Sequence, residues 1–163
     1  TPEVFETILR GVLKVFFKGA LSLKRVQRLD FIEITYLLIQ LKSIQEVLPN
    51  SLSFTCKDSL DVGAMTNALL FSFFKYLQKS ELDENEHDLL HAILYSPALI
   101  VRERNIQSEQ FNRLVSVLRT LEEISSKIDL KSAFKKEFGD LFNDLSLNTV
   151  LKTPSLTREL SLL

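Results

Sequence analysis

Glycine and proline are scarce in this sequence, with four of each among 163 residues, against average frequencies of about 7% and 5%. These residues form most of the tight turns that a β-sandwich or β-barrel requires. Their scarcity argues against a fold with many hairpins and favours long helices. The sequence also has no G-x-G-x-x-G or G-x-x-x-x-G-K-[ST] pattern, so we do not expect a loop that cradles nucleotide phosphates.

Cysteine is nearly absent, since Cys56 is the only one. A single cysteine excludes an internal disulfide framework, and no N-x-S/T glycosylation site is present, so we predict an intracellular protein, nuclear or cytoplasmic. As a nucleophile, Cys56 would need a base brought close by folding, so we expect it to be a small buried hydrophobe. The first residue is Thr1 rather than Met, which predicts a piece or a processed product of a longer chain.

Long apolar runs and an excess of charge are also missing. The longest uncharged run, Val62 to Phe74, is shorter than the roughly 20 residues that cross a bilayer, so no transmembrane segment is expected. The net charge of −1 gives no global attraction to nucleic acid or an anionic membrane. The 45% hydrophobic and 25% charged residues are those of an ordinary folded domain, and the length is that of one domain.

The apolar residues recur mainly at three- and four-residue spacing, which is typical of amphipathic helices. Predicted helices run from Pro2 to Gly19, Asp30 to Leu48, about Ser59 to Gln78, Asp83 to Tyr95, Ser108 to about Ile128 and Leu130 to Leu145, with a short one possible after Pro154. We predict an all-α fold of six or seven helices, either a compact bundle or a short HEAT-like α-solenoid segment. Residues 1–146 form the single helical domain, and residues 147–163 form a C-terminal tail.

Two of these helices are predicted to begin at approximate capping boxes. Asp30 is followed three residues later by Glu33, and Asp83 is followed by Glu86, so in each case an acid can accept from the free amides of the first turn. Pro97 is predicted to end the helix that begins at Asp83, because proline removes a backbone donor. Ser108 is predicted to cap the helix that follows it.

The sharpest local pattern is the pair His87 and His91 with Asp88 between them. Histidines four residues apart share one face of a helix and are able to ligate zinc together. The pattern resembles that of zinc proteases with aspartate in place of glutamate, and a third ligand, such as Glu109 or Glu122, would have to be supplied by folding. A zinc-dependent hydrolase is therefore one alternative, although two surface histidines explain the pattern more simply. We predict no cofactor and no metal site.

Basic residues are concentrated near the start of the chain. Six of them fall within the first 28 residues: Arg10, Lys14, Lys18, Lys24, Arg25 and Arg28. Folding is able to gather them into one positive patch for an anionic partner, so a nucleic-acid-binding helical domain is a second alternative. A charged helix face that is simply solvated is the competing interpretation.

Phenylalanine is abundant, with twelve residues and no tryptophan. Phe16 and Phe17 are adjacent in sequence, as are Phe73 and Phe74, and adjacent residues point in different directions on a helix. These four rings are therefore candidate contacts with a partner protein, and core packing is the rival explanation. Because catalytic patterns are lacking, we predict a non-enzymatic helical protein–protein interaction module, an adaptor or scaffold subunit of a larger complex.

Overall fold

The computed structural model describes residues 2–49, 60–78 and 82–142. These ranges contain α1 (Pro2–Phe17), α2 (Arg25–Val47), α3 (Leu60–Gln78), α4 (Glu84–Arg102), α5 (Ser108–Ser125) and α6 (Leu130–Phe138). No strand occurs in this part of the chain, and the predicted all-α fold is confirmed. Cys56 and the predicted boundary between residues 146 and 147 lie outside the described residues.

The six helices form a bundle in which helices distant in sequence pack together. α3 contacts α2, α4, α5 and α6, and α1 contacts α2, α5 and α6. The units of an α-solenoid contact only their neighbours along the chain, whereas here the first helix packs against the last. The bundle alternative therefore describes these residues.

Phenylalanine rings form the centre of the bundle. The ring of Phe73 on α3 lies 6.5 Å from Phe16 on α1 and 5.7 Å from Phe134 on α6, between ring centroids. Phe134 in turn lies 4.9 Å from Phe138 and 5.6 Å from Phe142. Edge-to-face and tilted pairs at these distances add stabilisation beyond the burial of their area.

Gly11 permits the close approach of α1 and α6. A Cβ atom placed on Gly11 would lie only 2.2 Å from Cε1 and 2.5 Å from Cζ of the Phe138 ring. Phe138 is fully buried and is enclosed by Phe134 and Phe142, so its ring has little room to move away. The contact therefore requires a residue without a side chain at position 11.

We expect Gly11→Ala to lower the free energy of unfolding by about 1–3 kcal/mol, the usual cost of overpacking a core. Alanine gains about 1 kcal/mol of helix propensity over glycine, but the clash with Phe138 exceeds that gain. Urea denaturation followed by circular dichroism measures the change. A Gly11→Ala variant as stable as the parent would show that α1 and α6 are not in contact there.

The predicted start of α2 is wrong, because the helix begins at Arg25 rather than Asp30. The backbone amide of Lys24 donates to Oε1 of Gln27 at 3.0 Å, which supports the first turn. Asp30 lies in the second turn, where it is buried and accepts hydrogen bonds from another helix. A pattern that resembles a capping box in the sequence is here a set of contacts between helices.

The predicted end of α4 at Pro97 is also wrong, since the helix continues through Pro97 to Arg102. Ala98, the next residue, is fully buried, so packing against α3 outweighs the hydrogen bond that proline removes. The start of α4 is confirmed: Oδ1 of Asp83 accepts from the Glu86 amide at 2.8 Å, and Oε2 of Glu86 accepts from the Asp83 amide at 3.1 Å.

Smaller differences occur at three other helix ends. Gln107 rather than Ser108 is the N-cap of α5, without a side-chain hydrogen bond. α6 ends at Phe138 instead of Leu145, and turns from Phe138 carry the chain to Phe142. α1 ends at Phe17, just before Lys18 and Gly19, which both have positive φ.

An ion pair fastens the loop between α4 and α5 to the start of α3. Nη1 and Nη2 of Arg104 donate to Oδ1 and Oδ2 of Asp61 at 3.1 and 2.7 Å, and the Gln107 amide donates to Oδ1 at 3.3 Å. The hydrogen bonds from Arg104 lower the pKa of Asp61 despite its burial, with a smaller contribution from the Gln107 amide. Asp61 is thus held in its charged form inside the bundle.

Candidate functional site

The main candidate surface is an exposed apolar line on α2. Leu29, Ile32 and Tyr36 follow one another at three- and four-residue spacing and are 38%, 43% and 60% exposed. The buried residues Ile34, Leu38 and Leu41 occupy the opposite side of the same helix. A bundle helix normally places polar residues on its outward face. In contrast, α2 has two apolar faces, and only one of them packs in the core. We call Leu29, Ile32 and Tyr36 the outer stripe.

An apolar groove continues the line of the outer stripe toward the carboxyl end of α2. Ser43 and Val47 lie seven and eleven residues after Tyr36 and therefore on the same side of the helix. They line a groove of about 580 Å³ with Phe5 and Ile8 of α1, and the ion-paired Lys42 and Glu46 also line it. From Leu29 to Val47 this surface extends over about 27 Å of helix, with polar Gln40 and Ser43 between Tyr36 and Val47.

Two sets of hydrogen bonds hold α2 against α5. The buried carboxylate of Asp30 accepts from the Ser116 hydroxyl at 2.7 Å and from the Thr120 hydroxyl at 3.0 Å. Arg113 of α5 donates to Oε1 of Glu33 at 2.6 Å and to the backbone carbonyl of Leu29 at 3.1 Å. These contacts border the outer stripe at Leu29 and leave the side chains of Ile32 and Tyr36 exposed.

The six basic residues predicted as an anionic-partner patch fall into two groups. Arg10 forms an ion pair with Glu6 at 2.5 Å, and Lys14 forms one with Glu137 of α6 at 2.5 Å. The other four are exposed in the connection between α1 and α2 and in the first turns of α2: Lys18, Lys24, Arg25 and Arg28. None of the ion pairs within the described ranges involves these four. We call these four residues the basic end of α2.

The four phenylalanines predicted as partner contacts lie in the core. Phe16, Phe17, Phe73 and Phe74 are 2%, 7%, 0% and 1% exposed. Phe73 contacts Phe16 and Phe74, and Phe17 packs edge-on against Phe31 with ring centroids 5.9 Å apart. Core packing, the rival explanation, therefore accounts for them, and a partner cannot reach them in this structure.

His87 and His91 are exposed on the first turns of α4. No group of three or more His, Cys, Asp or Glu side chains suited to hold a metal ion occurs within residues 2–49, 60–78 and 82–142. The nearest described aromatic neighbour of His91 is Tyr95, at 6.2 Å between ring centroids. The third ligand that a zinc site requires is thus not brought to the pair by the described fold.

A pocket of about 810 Å³ lies between α3, α4 and α5. Its lining includes Ser72, Tyr76, His87 and Glu122. Burial raises the pKa of Tyr76, and the nearby Glu122 carboxylate adds to the effect, so the phenol stays protonated. The Ser72 hydroxyl is buried without a hydrogen-bond partner among the described residues, whereas an activated serine nucleophile needs a hydrogen-bonded base. The pocket thus has polar groups but lacks that arrangement.

A second exposed apolar set lies at the carboxyl end of α4, where Leu99, Ile100 and Val101 follow one another. Three consecutive residues fan around a helix rather than form one line, so this end of α4 exposes separate side chains. Among the described helices, none combines the length and hydropathy that a membrane span requires.

The outer stripe was not predicted from the sequence, although a signal was available. Leu29, Ile32 and Tyr36 match a helical line that is out of phase with Ile34, Leu37 and Leu38, but the helix predicted from Asp30 to Leu48 does not include Leu29. A helix that is apolar on two opposite sides either is central or carries an exposed surface, and only the tertiary structure separates these cases.

Comparison with known proteins adds no family to these observations. No protein-family model matches the chain. No curated protein and no solved structure matches it either.

Proposed function

We propose that this domain is a non-enzymatic helical module for protein–protein interaction, an adaptor or scaffold subunit of a larger complex. It docks its partner on the outer stripe of α2. The observation that supports this proposal is the exposed line of Leu29, Ile32 and Tyr36 on the side of α2 opposite the core. Contiguous exposed apolar surface is unfavourable in water and is typical of interaction sites.

The composition of the stripe favours a protein partner over a nucleic acid. Tyrosine is enriched among the residues that provide most of the binding energy in protein interfaces, and burying Leu29 and Ile32 requires an apolar counterpart. Phosphate groups would pair with Arg25 and Arg28 but would leave those apolar side chains in water. The nuclease arm of the experiment below tests the alternative, nucleic-acid binding through the basic end of α2.

The test compares two double variants in an affinity pull-down from source extract, with and without nuclease. We expect Ile32→Gln/Tyr36→Gln to reduce recovery of a stoichiometric protein partner at least tenfold, because it removes the apolar contacts of the stripe. The matched control, Leu99→Gln/Ile100→Gln, replaces two exposed apolar residues at the end of α4 and should leave recovery unchanged. Glutamine keeps good helix propensity in both variants.

Thermal unfolding of both variants checks that the bundle is intact. Equal recovery of the partner by the parent and by Ile32→Gln/Tyr36→Gln would contradict docking on α2. Loss of every partner after nuclease treatment would contradict a protein partner and favour nucleic acid.

A further inference from the structure

The basic end of α2 and the outer stripe together point to the chemistry of the partner. We infer, on the basis of the proposed function, that the partner presents an amphipathic helix whose apolar stripe is flanked by acidic residues. This helix lies along α2, with its acidic residues beside Lys24, Arg25 and Arg28.

The shape of the surface suits a helix. Leu29, Ile32 and Tyr36 form a straight ridge on a helix, and ridges of this kind pack into the grooves between the side chains of a second helix. The ridge and the α1–α2 groove that continues it extend over about 27 Å, the length of about 18 helical residues. An extended peptide gains affinity mainly by adding to a sheet edge, and the described residues contain no strand.

The charge of the surface is unbalanced at one end. Between Lys18 and Ile32 the sequence contains four basic residues, and its only acid is Asp30. Asp30 is buried and accepts hydrogen bonds from Ser116 and Thr120, so it does not face a partner. Glu33, the next acid, is bonded to Arg113. Lys18 acts on Glu123, whose pKa it helps to lower after the larger effect of Lys127. The positive charges of Lys24, Arg25 and Arg28 are left for acids on the partner. Such acids would speed association, and the same charges would disfavour a basic helix.

A second copy of the chain is a less suitable occupant. Two copies packed in parallel would bring their own Lys24, Arg25 and Arg28 together, and like charges that face each other across an interface oppose association. In the antiparallel arrangement, the basic end would face the region of Glu46, whose carboxylate already pairs with Lys42 at 2.7 Å. Neither arrangement supplies free acids to the basic end.

The probes for the experiment are two synthetic helical peptides of about 20 residues that share one leucine stripe. Glutamates flank the stripe in the first peptide, and lysines flank it in the second. Each peptide carries a fluorophore, and anisotropy titration with the full chain gives the dissociation constant at low and at moderate salt. We expect the acidic peptide to bind at least tenfold more tightly than the basic one, with a preference that shrinks as salt screens the charges.

Two variants separate the contribution of charge from that of the stripe. Arg25→Glu/Arg28→Glu should reverse the preference between the peptides. Ile32→Gln/Tyr36→Gln should weaken the binding of the acidic peptide at least tenfold. Lys135→Glu/Lys136→Glu, on exposed residues of α6, changes the net charge equally and should retain the preference.

The outcomes separate this inference from the proposed function. The two peptides could bind equally well to the parent and fail to bind to Ile32→Gln/Tyr36→Gln. That result would overturn the inference of an acidic partner but would still support docking on α2. A dissociation constant that is the same for the parent and for Ile32→Gln/Tyr36→Gln would overturn the docking surface, and the proposed function with it. Failure of both peptides to bind would overturn the inference. Two further results would also overturn it. The first is a dimer in analytical ultracentrifugation that Ile32→Gln/Tyr36→Gln abolishes, and the second is tighter binding of a DNA duplex than of the acidic peptide.

Discussion

Replacing Phe73 by alanine is expected to lower the free energy of unfolding by about 3–5 kcal/mol, the usual cost of deleting a buried aromatic ring. Phe73 is 0% exposed and contacts rings from α1, α3 and α6, so the cavity left behind cannot collapse without moving several helices. The total stability of a domain is typically about 5–15 kcal/mol. The substitution thus removes a large part of it. Urea denaturation followed by circular dichroism measures the loss.

The control for Phe73 is Phe5→Ala on α1, because Phe5 is 49% exposed. Its replacement should cost about 1 kcal/mol or less, as is usual near the surface. A similar small cost at Phe73 would contradict its place in the core and would return that ring to the candidate partner contacts.

The second large effect is expected at the ion pair between α3 and the α4–α5 loop. Arg104→Ala should lower the free energy of unfolding at pH 7, because it leaves the Asp61 carboxylate without its main hydrogen-bond donor. The Asp61 side chain is only 8% exposed, whereas that of Arg104 is 40% exposed. Asp61→Asn should therefore cost less, because the guanidinium left behind can reach water.

The pH dependence of unfolding tests the same pair. The pKa of Asp61 is lowered in the folded state, so its contribution is present above the unfolded value of about 3.9 and is lost as the pH falls through the folded value. The stability difference between the parent and Arg104→Ala should therefore be largest near neutral pH and shrink below about pH 4. Asp140→Asn is the control, since Asp140 is exposed and none of the ion pairs within the described ranges involves it. A difference that stays constant with pH would contradict the charged pair.

The sequence predicted the fold class and several helix ends because those features depend on local chemistry. Asp83 and Glu86 each accept a hydrogen bond from the other's backbone amide, and a pattern this local can be predicted without the tertiary structure. Asp30 and Glu33 show the same spacing but bond to Ser116 and Arg113 across the bundle, so spacing alone cannot distinguish a cap from a contact between helices. Proline normally ends a helix, but α4 continues through Pro97 because the burial of Ala98 compensates for the hydrogen bond that Pro97 removes.

The candidate site was less predictable than the fold. Phe73 and the outer stripe illustrate the difficulty, since a buried ring and an exposed apolar face follow the same helical periodicity. Which apolar face enters the core depends on the neighbours that α1, α3 and α5 provide for α2. The six basic residues are evident in the sequence, but their division into two groups is not. Arg10 and Lys14 are ion-paired, the latter with Glu137 of α6, whereas the basic end of α2 follows the turn after α1 and is exposed.

The contact between Gly11 and Phe138 also has a consequence for how the protein is made. About 130 residues separate the two positions, so at synthesis rates of about 5–20 residues per second α1 leaves the ribosome roughly 6–25 s before α6. Until α6 follows, the surface of α1 around Gly11 lacks the cover of Phe138. Nascent chains with uncovered apolar surface are the species that chaperones bind. Ribosome-bound chains stalled before Leu130 should therefore recruit chaperones more strongly than chains stalled after the whole bundle has emerged.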